Sequence, residues 1–342
     1  MTLSKKHPRL RELSFQKLLN QPIHEMNLRP EGMLRASLIQ LRHELKKNHI
    51  EFFPHFYFGE EPWGCIDRTG SIEIPFYLAN SSLHRIAKRY YIPYSKKEVM
   101  MTLRHETGHA LNYAYRLFRR DDWKETFGRF RKTYRNFYSY DPYSRSHVRY
   151  LHSIGHPHYA QKHPDEDFAE SFAVWLDPSS KWKWNYRHWD GAMAKLRFVD
   201  RLFRKEKTAL RRPLKVKYEE LDSYTKIETT LAEYFQIEKK VDKRVREYIE
   251  DLKEIFSGVS PRARSSIRAD LFIGNYAQYL EQELTTWIWG TDRREVRKYL
   301  REIQTICALN NLRVHPDRAT EKLVEIVIVS TYHLLQKLRR IR

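Results

Sequence analysis

The segment His105-Glu106-Thr107-Gly108-His109 places two imidazoles four residues apart, with a carboxylate between them. On an α-helix, residues i and i+4 project from nearly the same face, so His105 and His109 can reach one metal ion together. Glu106 lies about 100° further round the helix and can contact a metal-bound water without binding the metal. This spacing predicts a metal-dependent hydrolytic centre. The alternative is two histidines on a helix face beside a surface glutamate.

A helix is predicted to carry this motif. Ser95-Lys96-Lys97-Glu98 has the pattern of a capping box, which favours a helix start at this point. Gly108 is costly in a helix interior, by about 1 kcal/mol relative to alanine, which indicates a packing or functional reason for its presence. The apolar residues that follow the spacing of a half-buried helix are Val99, Leu103, Ala110 and Leu117.

A catalytic zinc site needs a third protein ligand besides the two histidines. The metzincin class takes it from fixed glycine and histidine positions beyond the motif. This chain has Asn112 and Tyr115 there, so that class is excluded. The ligand must then come from elsewhere, either from a second helix or from a further histidine. Five histidines between the motif and residue 166 are candidates: His147, His152, His156, His158 and His163.

A second helix with an acidic start is predicted over residues 163–173. Pro164 suits the first helical turn, and the neighbouring Asp and Glu side chains suit the positive end of the helix. Glu166 and Glu170 lie four residues apart and therefore on one face. We predict that Glu166 is the third ligand and that Glu170 accepts a hydrogen bond from a ligand histidine, which fixes its tautomer. The alternative is that these acids only interact with the helix dipole.

Three stretches of the chain resemble a known family. The motif followed by a glutamate-bearing helix resembles the gluzincins, the thermolysin-like branch of zinc peptidases. Tyr159, seven residues before Glu166, looks closest to their lethal-factor-like subgroup. A bacterial family of uncharacterised zinc-binding metallopeptidases is similar over more of the chain. The matching stretches are SIEIPFYLAN at 71–80, RHETGHALNYAYRL at 104–117 and HYAQKHPDEDFAESFAVWL at 158–176.

The resemblance implies a peptidase that binds one zinc ion per chain and cleaves a peptide or protein substrate. Glu106 would be the general base that takes a proton from a zinc-bound water. Tyr159 would donate a hydrogen bond to the oxyanion, with ordinary packing as the alternative. The resemblance also implies that the strand Ile72–Tyr77 is an edge strand that holds an extended peptide, with a plain core strand as the alternative.

The pattern of apolar residues predicts an α+β fold. Helical patterns occur at 8–49, 95–205 and 217–342, and strand patterns at 50–80. A small mixed or antiparallel sheet is expected to pack on the motif helix, as in a zincin-like fold, with a cleft between an edge strand and that helix. Helical periodicity is lost near Pro213, which predicts a metallopeptidase domain of residues 1–210 followed by a helical region of residues 211–342.

The net charge of +20 is unevenly distributed. Residues 181–217 hold 13 Lys or Arg and 3 Asp or Glu, so this short stretch carries half of the excess. Such a surface attracts an acidic partner or nucleic acid, or it only aids solubility. An alternative function follows: a non-catalytic basic binding module with a retained zinc site and nucleic acid as a candidate partner. Glu106 favours the enzyme, because a structural zinc site needs no general base.

Composition excludes several classes of protein. The content of 41% hydrophobic and 14% aromatic residues argues for a folded globular protein rather than a disordered one. Cys65 and Cys307 are too few for a secreted disulfide scaffold. The N-terminus lacks an apolar run of signal-peptide length, and no apolar stretch of about 18 residues occurs. We therefore expect a cytoplasmic protein without a membrane partner.

Overall fold

The computed structural model of the protein is mostly helical, and its described residues include two small sheets, an α+β architecture as the sequence predicts. The described residues are 15–60, 63–90, 94–134, 138–151, 158–204, 216–235, 247–256, 266–288, 291 and 293–339. The strands are β1 (His55–Gly59), β2 (Gly64–Cys65), β3 (Ser71–Pro75), β4 (Ile267–Arg268) and β5 (Arg313–Val314).

The helices follow in chain order. They are α1 (Phe15–Leu19), α2 (Gly32–Lys47), α3 (Ser81–Tyr90), α4 (Lys96–Ala114), α5 (Asp121–Phe127), α6 (Pro164–Leu176), α7 (Trp182–Asn185), α8 (Asp190–Arg204), α9 (Leu231–Tyr234), α10 (Glu247–Ile255), α11 (Ala269–Asn275), α12 (Ala277–Trp287), α13 (Arg293–Leu309) and α14 (Ala319–Arg339). Short 3-10 turns lie at Ile23–Glu25, Phe76–Leu78, Leu117–Arg119, Tyr159–Gln161, Tyr224–Lys226 and Pro316–Arg318. None of the described helices is long and apolar enough to cross a bilayer.

Contacts divide the chain into two compact units. The central unit comprises residues 23–84 and 94–228, and the tail unit comprises residues 1–22, 85–93 and 229–342. The division is discontinuous along the chain, whereas the sequence predicts a single cut between residues 210 and 211. That cut falls outside the described residues, and its position stays a prediction.

The tail unit is a helical body around one apolar core. Side chains from α10, α11, α12, α13 and α14 form this core, including Leu252, Phe272, Leu280, Ile303 and Ile326. The two-residue strands β4 and β5 pair antiparallel, with Ile267 opposite Val314. This pairing is too short for an alternating pattern to show in the sequence, so the prediction of helices alone missed it.

The central unit contains a three-stranded mixed sheet in the order β1-β3-β2. Strand β3 pairs parallel with β1 along its whole length and antiparallel with β2 at Ile72 and Glu73. The edge-strand interpretation of Ile72–Tyr77 is therefore wrong, because β3 has a partner on each side and is buried throughout. Pro75 lies at the last residue of the strand, where the missing amide proton costs no ladder hydrogen bond.

Helices α4 and α6 form the most extensive helix pair of the central unit and begin as the sequence predicts. Ser95 caps α4, since its side chain accepts from the Glu98 N–H and the Glu98 carboxylate accepts from the Ser95 N–H. Pro164 is in the first turn of α6, and the His163 side chain accepts from the Asp165 N–H. Strands β2 and β3 pack on α4, so the sheet and α6 both contact the helix that carries the motif.

Gly108 lies where α4 meets α6 most closely. A Cβ atom at this position would lie 2.9 Å from the Ala169 Cα and 3.2 Å from a ring carbon of Phe172. Carbon atoms normally rest about 3.5–4.0 Å apart, so no side chain fits there without movement of a helix. The packing reason that the sequence predicts for this mid-helix glycine is confirmed.

Candidate metal centre

Three ligand atoms converge between α4 and α6. The Oε2 of Glu166 lies 3.0 Å from the Nε2 of His105 and 3.2 Å from the Nε2 of His109. The two Nε2 atoms are 3.1 Å apart. All three side chains are buried, and together they form a group able to hold a metal ion.

The tautomers of both histidines follow from carboxylates on the far sides of the rings. Nδ1 of His105 lies 3.1 Å from Glu170 Oε1, and Nδ1 of His109 lies 3.0 Å from Asp165 Oδ2. A carboxylate only accepts, so each Nδ1 carries the proton and donates it. In the neutral imidazoles, each Nε2 therefore presents a lone pair towards Glu166. Three lone pairs about 3 Å apart repel one another unless a cation or protons lie between them.

The spacing of these atoms fits a tetrahedral metal site. Zinc binds nitrogen and oxygen ligands at about 2.0–2.2 Å, so two ligands of one tetrahedral ion lie about 3.3–3.6 Å apart. The distances of 3.0–3.2 Å lie within a few tenths of an ångström of that separation. Two imidazole nitrogens with one carboxylate oxygen are a donor set that suits zinc and other divalent transition ions. The group therefore fits a divalent ion, and its geometry alone does not select zinc.

The surrounding carboxylates favour protonation of the two histidines. Burial lowers the pKa of His105, but hydrogen bonds to Glu166 and Glu170 more than offset this and raise the pKa to about 9. Burial also opposes protonation of His109, yet the charges of Asp165 and Glu166 hold its pKa well above the usual value. The pKa of Glu166 lies well below its usual value, because the two histidines outweigh the effect of burial. A metal ion therefore competes with imidazolium protons for this centre.

Glu170 is fixed by backbone as well as by His105. Its carboxylate accepts hydrogen bonds from the Tyr150 N–H at 2.8 Å and from the Leu151 N–H at 3.1 Å. The side chain is completely buried, so these donors compensate for lost water. The structure thus places Glu170 where the sequence predicts it, next to a histidine of the motif.

Asp165 supports His109 in the same way and was not predicted. Its carboxylate also accepts from Asn112 Nδ2 at 2.6 Å and from the Tyr113 hydroxyl at 2.5 Å. His109, Asn112 and Tyr113 lie at positions i, i+3 and i+4 of α4, which is the signal that the sequence offers for this cluster. The third acid of the α6 start, Asp167, is paired with Lys195 at 2.6 Å. Each acid therefore has a specific buried partner, beyond any interaction with the helix dipole.

Glu106 lies beside the three ligand atoms and contacts strand β2. Its Oε2 accepts a hydrogen bond from the Cys65 N–H at 2.8 Å. Burial raises the pKa of Glu106, while the nearby histidine charges and this hydrogen bond oppose the rise. The carboxylate is not part of the ligand group, as the helical offset of about 100° predicts.

Two tyrosines and a lysine lie over the ligand group. The Tyr159 ring centroid is 5.7 Å from that of His105, and its hydroxyl is 3.4 Å from the Tyr134 hydroxyl. Tyr134 donates to Glu166 Oε1 at 2.5 Å, so it contacts the carboxylate oxygen that faces away from the histidines. The Nζ of Lys162 lies 4.3 Å from the Tyr134 ring centroid and 5.0 Å from that of Tyr159. Tyr134 and Lys162 were not predicted, because neither has a fixed spacing from the motif.

A buried ion network lies directly before the motif in sequence. The guanidinium of Arg104 contacts both oxygens of Glu44, at 2.7 and 2.9 Å, and Asp177 Oδ2 at 2.7 Å. The Tyr150 hydroxyl accepts from Arg104 and donates to Asp177. The network ties α2, α4 and the end of α6 together, and it includes Tyr150, whose N–H holds Glu170. No sequence pattern predicts this network.

The alternative histidine ligands that the structure describes have other positions. His147 Nε2 is 3.7 Å from Asp167, the His158 ring stacks on Tyr140, and His163 caps α6. Those three lie outside the ligand group. The remaining two candidates, His152 and His156, fall outside the described residues.

Comparisons of this chain with protein-family models, with curated proteins and with solved structures give no match. The resemblance to gluzincins therefore stays a prediction from the sequence motifs. The structure shows a buried group of two histidines and one glutamate that could hold a metal ion.

Proposed function

We propose that the protein is a zinc-dependent peptidase with a gluzincin-type site and a zincin-like fold. His105, His109 and Glu166 would hold one zinc ion per chain, and Glu106 would be the general base. The observation that carries this proposal is the convergence of three ligand atoms within 3.2 Å, with both histidine tautomers fixed by carboxylates.

The number of ligands supports a catalytic rather than a structural metal site. Structural zinc is held by four protein ligands, whereas catalytic zinc has three and an open position. Within the part of the chain that the structure describes, the ligand group has three members. Glu106 beside it supplies a base, which a binding module with a structural zinc does not need. These two features favour the enzyme over the basic binding module.

The chain's own residues account for the proton transfers of hydrolysis. Bound zinc would supply a Lewis acid that polarises the peptide carbonyl and acidifies water. Glu106 would accept one proton from the attacking water and deliver it to the leaving nitrogen, which yields an acid and an amine. Tyr159 would donate a hydrogen bond to the carbonyl oxygen as negative charge develops there. Tyr134 would hold Glu166 in place through its short hydrogen bond.

An extended peptide would lie along strand β2. This strand is at the edge of the sheet, and its Cys65 N–H donates to Glu106, so a peptide that pairs with this N–H would displace the Glu106 carboxylate. A free strand edge recognises peptide backbone, and alternate side chains then give specificity. The role that the sequence analysis gave to Ile72–Tyr77 therefore passes to β2. The predicted cytoplasmic location stays a prediction.

Metal content and activity of three proteins test the proposal. Elemental analysis is expected to find one zinc per wild-type chain and much less in Glu166→Ala. Glu106→Gln is expected to retain zinc and to lose hydrolysis of a quenched-fluorescent peptide library by at least about a hundredfold. Glu125→Gln, at an exposed position of α5, is the matched control and is expected to retain both. A fully active Glu106→Gln protein, or a wild type that takes up no zinc on reconstitution, would refute the proposal.

A further inference from the structure

A groove of about 720 Å³ lies in the central unit, between the second half of α2, the segment from the end of α6 into α7, and the last residue of α8. Its volume is in the range of about 300–1,000 Å³ that is usual for small-molecule sites. The lining includes three tryptophans and several cations, from sequence segments that are far apart. None of these residues belongs to the metal centre, so the peptidase reaction leaves the groove unexplained.

The charge of the groove is positive. Lys47, Lys181 and Lys183 line it and are exposed, and within the described residues none of them has a carboxylate at ion-pair distance. The Nζ of Lys183 lies 5.4 Å from the Trp182 ring centroid and remains open to water. The two acids of the lining, Glu44 and Asp177, both contact the buried Arg104 at 2.7 Å. Arg104 balances one of these two negative charges, and the three lysines outnumber the one that remains. A ligand in the groove meets three solvated ammonium groups.

The aromatic residues of the groove are placed as a stacking surface. Trp175 is buried at its base, Trp182 is half-buried, and Trp184 is 65% exposed. The guanidinium of Arg187 lies 3.9 Å from the Trp184 ring centroid, so it covers one face of the indole, and a ligand would stack on the other face. A large indole that is open to water on one face is a candidate surface for a planar ligand, because stacking would remove its apolar area from water.

We propose that this groove binds single-stranded nucleic acid, with a base stacked on Trp184 and the phosphates at the three lysines. Unpaired bases stack on aromatic side chains, whereas the bases of a duplex are already stacked on one another. An acidic peptide would use the lysines but would leave the exposed indole without a role. The combination of both features therefore favours a single strand. Binding here is independent of metal and of the peptidase proposal.

Fluorescence anisotropy of the full-length protein with labelled 12-nucleotide oligo(dT) and oligo(U) tests the proposal. Each neutralised phosphate contributes about −0.7 to the slope of log affinity against log salt for single strands, so three lysines predict a slope of about −2. A 12-base-pair duplex is expected to bind more weakly than either single strand. Tighter binding of oligo(dT) would identify DNA as the natural ligand, and tighter binding of oligo(U) would identify RNA.

Paired variants distinguish binding in this groove from nonspecific binding to the positive charge of the whole protein. Lys181→Gln with Lys183→Gln is expected to reduce the slope by about 1.4, whereas Lys96→Gln with Lys97→Gln, which removes the same charge from the start of α4, leaves it unchanged. Trp184→Ala is expected to weaken binding about 5- to 150-fold. Tyr143→Ala removes an aromatic side chain that is 87% exposed and is expected to have no effect.

Three results would overturn the proposal. One is the absence of single-strand binding at 50 mM salt, a low salt concentration that favours electrostatic binding. Another is binding that both pairs of lysine variants weaken equally. The third is binding of poly-glutamate that depends on the groove lysines and not on Trp184, which would make the groove an acidic-peptide site instead.

Discussion

Replacement of Gly108 by alanine tests how the metal centre depends on the packing of α4 against α6. The new Cβ would lie 2.9 Å from the Ala169 Cα, a backbone atom that cannot rotate away. A normal carbon contact is about 3.5–4.0 Å, so the helices must separate by roughly 0.6 Å or more at this point. Metal–ligand distances tolerate only about 0.2 Å.

Two effects on stability oppose each other in this variant. Alanine is favoured over glycine within a helix by about 1 kcal/mol, and overpacking costs about 1–3 kcal/mol. We expect a net loss of about 0–2 kcal/mol in the free energy of unfolding. The metal centre is more sensitive, because Ala169 lies next to Glu170 and one turn from Glu166. We expect zinc affinity to fall about 10- to 100-fold, as it does when groups that orient metal ligands are displaced.

The assay is competition for zinc against a chromophoric chelator, together with urea unfolding of the metal-free protein. Gly108→Val, with a larger side chain, should lose more affinity than Gly108→Ala. Lys97→Ala changes an exposed residue in the first turn of the same helix and should bind zinc as the wild type does. A Gly108→Ala protein with wild-type zinc affinity and higher stability would show that α4 and α6 do not pack this closely.

Three further predictions concern the groups around the metal centre. Arg104→Met leaves two buried carboxylates without their cation and should cost about 3–5 kcal/mol in urea unfolding, whereas the surface change Arg201→Met should cost less than about 1 kcal/mol. Equal costs would contradict the buried network. Asp165→Asn removes the charged acceptor of His109 and should weaken zinc binding about 10- to 100-fold in the chelator assay. Zinc displaces protons from imidazoles whose pKa is raised, to about 9 for His105. Zinc affinity should therefore rise with pH up to about 9, and calorimetry in buffers of different ionisation enthalpy should detect proton release at pH 7. No release would contradict protonated histidines.

The parts of the site that sequence analysis predicted are those encoded within one helix. The capping box, the i and i+4 histidines of α4, and the proline-led start of α6 all depend on residues a few positions apart. Glu166 and Glu170 followed from the same reasoning applied to a second helix. The structure brings these four side chains together between two helices, although their sequence separation is about 60 residues.

The parts that sequence analysis missed depend on packing between distant segments. Tyr134 reaches Glu166 from an irregular segment, and no periodic pattern predicts where such a chain passes. Arg104 is charged, and its burial depends on Glu44 and Asp177, which lie 60 and 73 residues away in sequence. The order of the strands in the sheet, β1-β3-β2, could not be predicted from the sequence either. An isoleucine-rich strand ending in proline suits a sheet edge or a strand end, and only pairing with β2 distinguishes them.

The buried charges of the site can be balanced either by protons or by a divalent ion. Three buried carboxylates, Asp165, Glu166 and Glu170, surround two imidazoles. Burial of unpaired negative charge is costly, so this group requires positive charge close by. When both histidines are protonated, their two positive charges balance two of the three carboxylate charges. A divalent ion bound to the neutral imidazoles would contribute the same charge. Glu170 and Asp165, behind the two rings, therefore have two roles. They orient each Nε2 towards Glu166, and they favour positive charge at the centre, either as protons or as a metal ion.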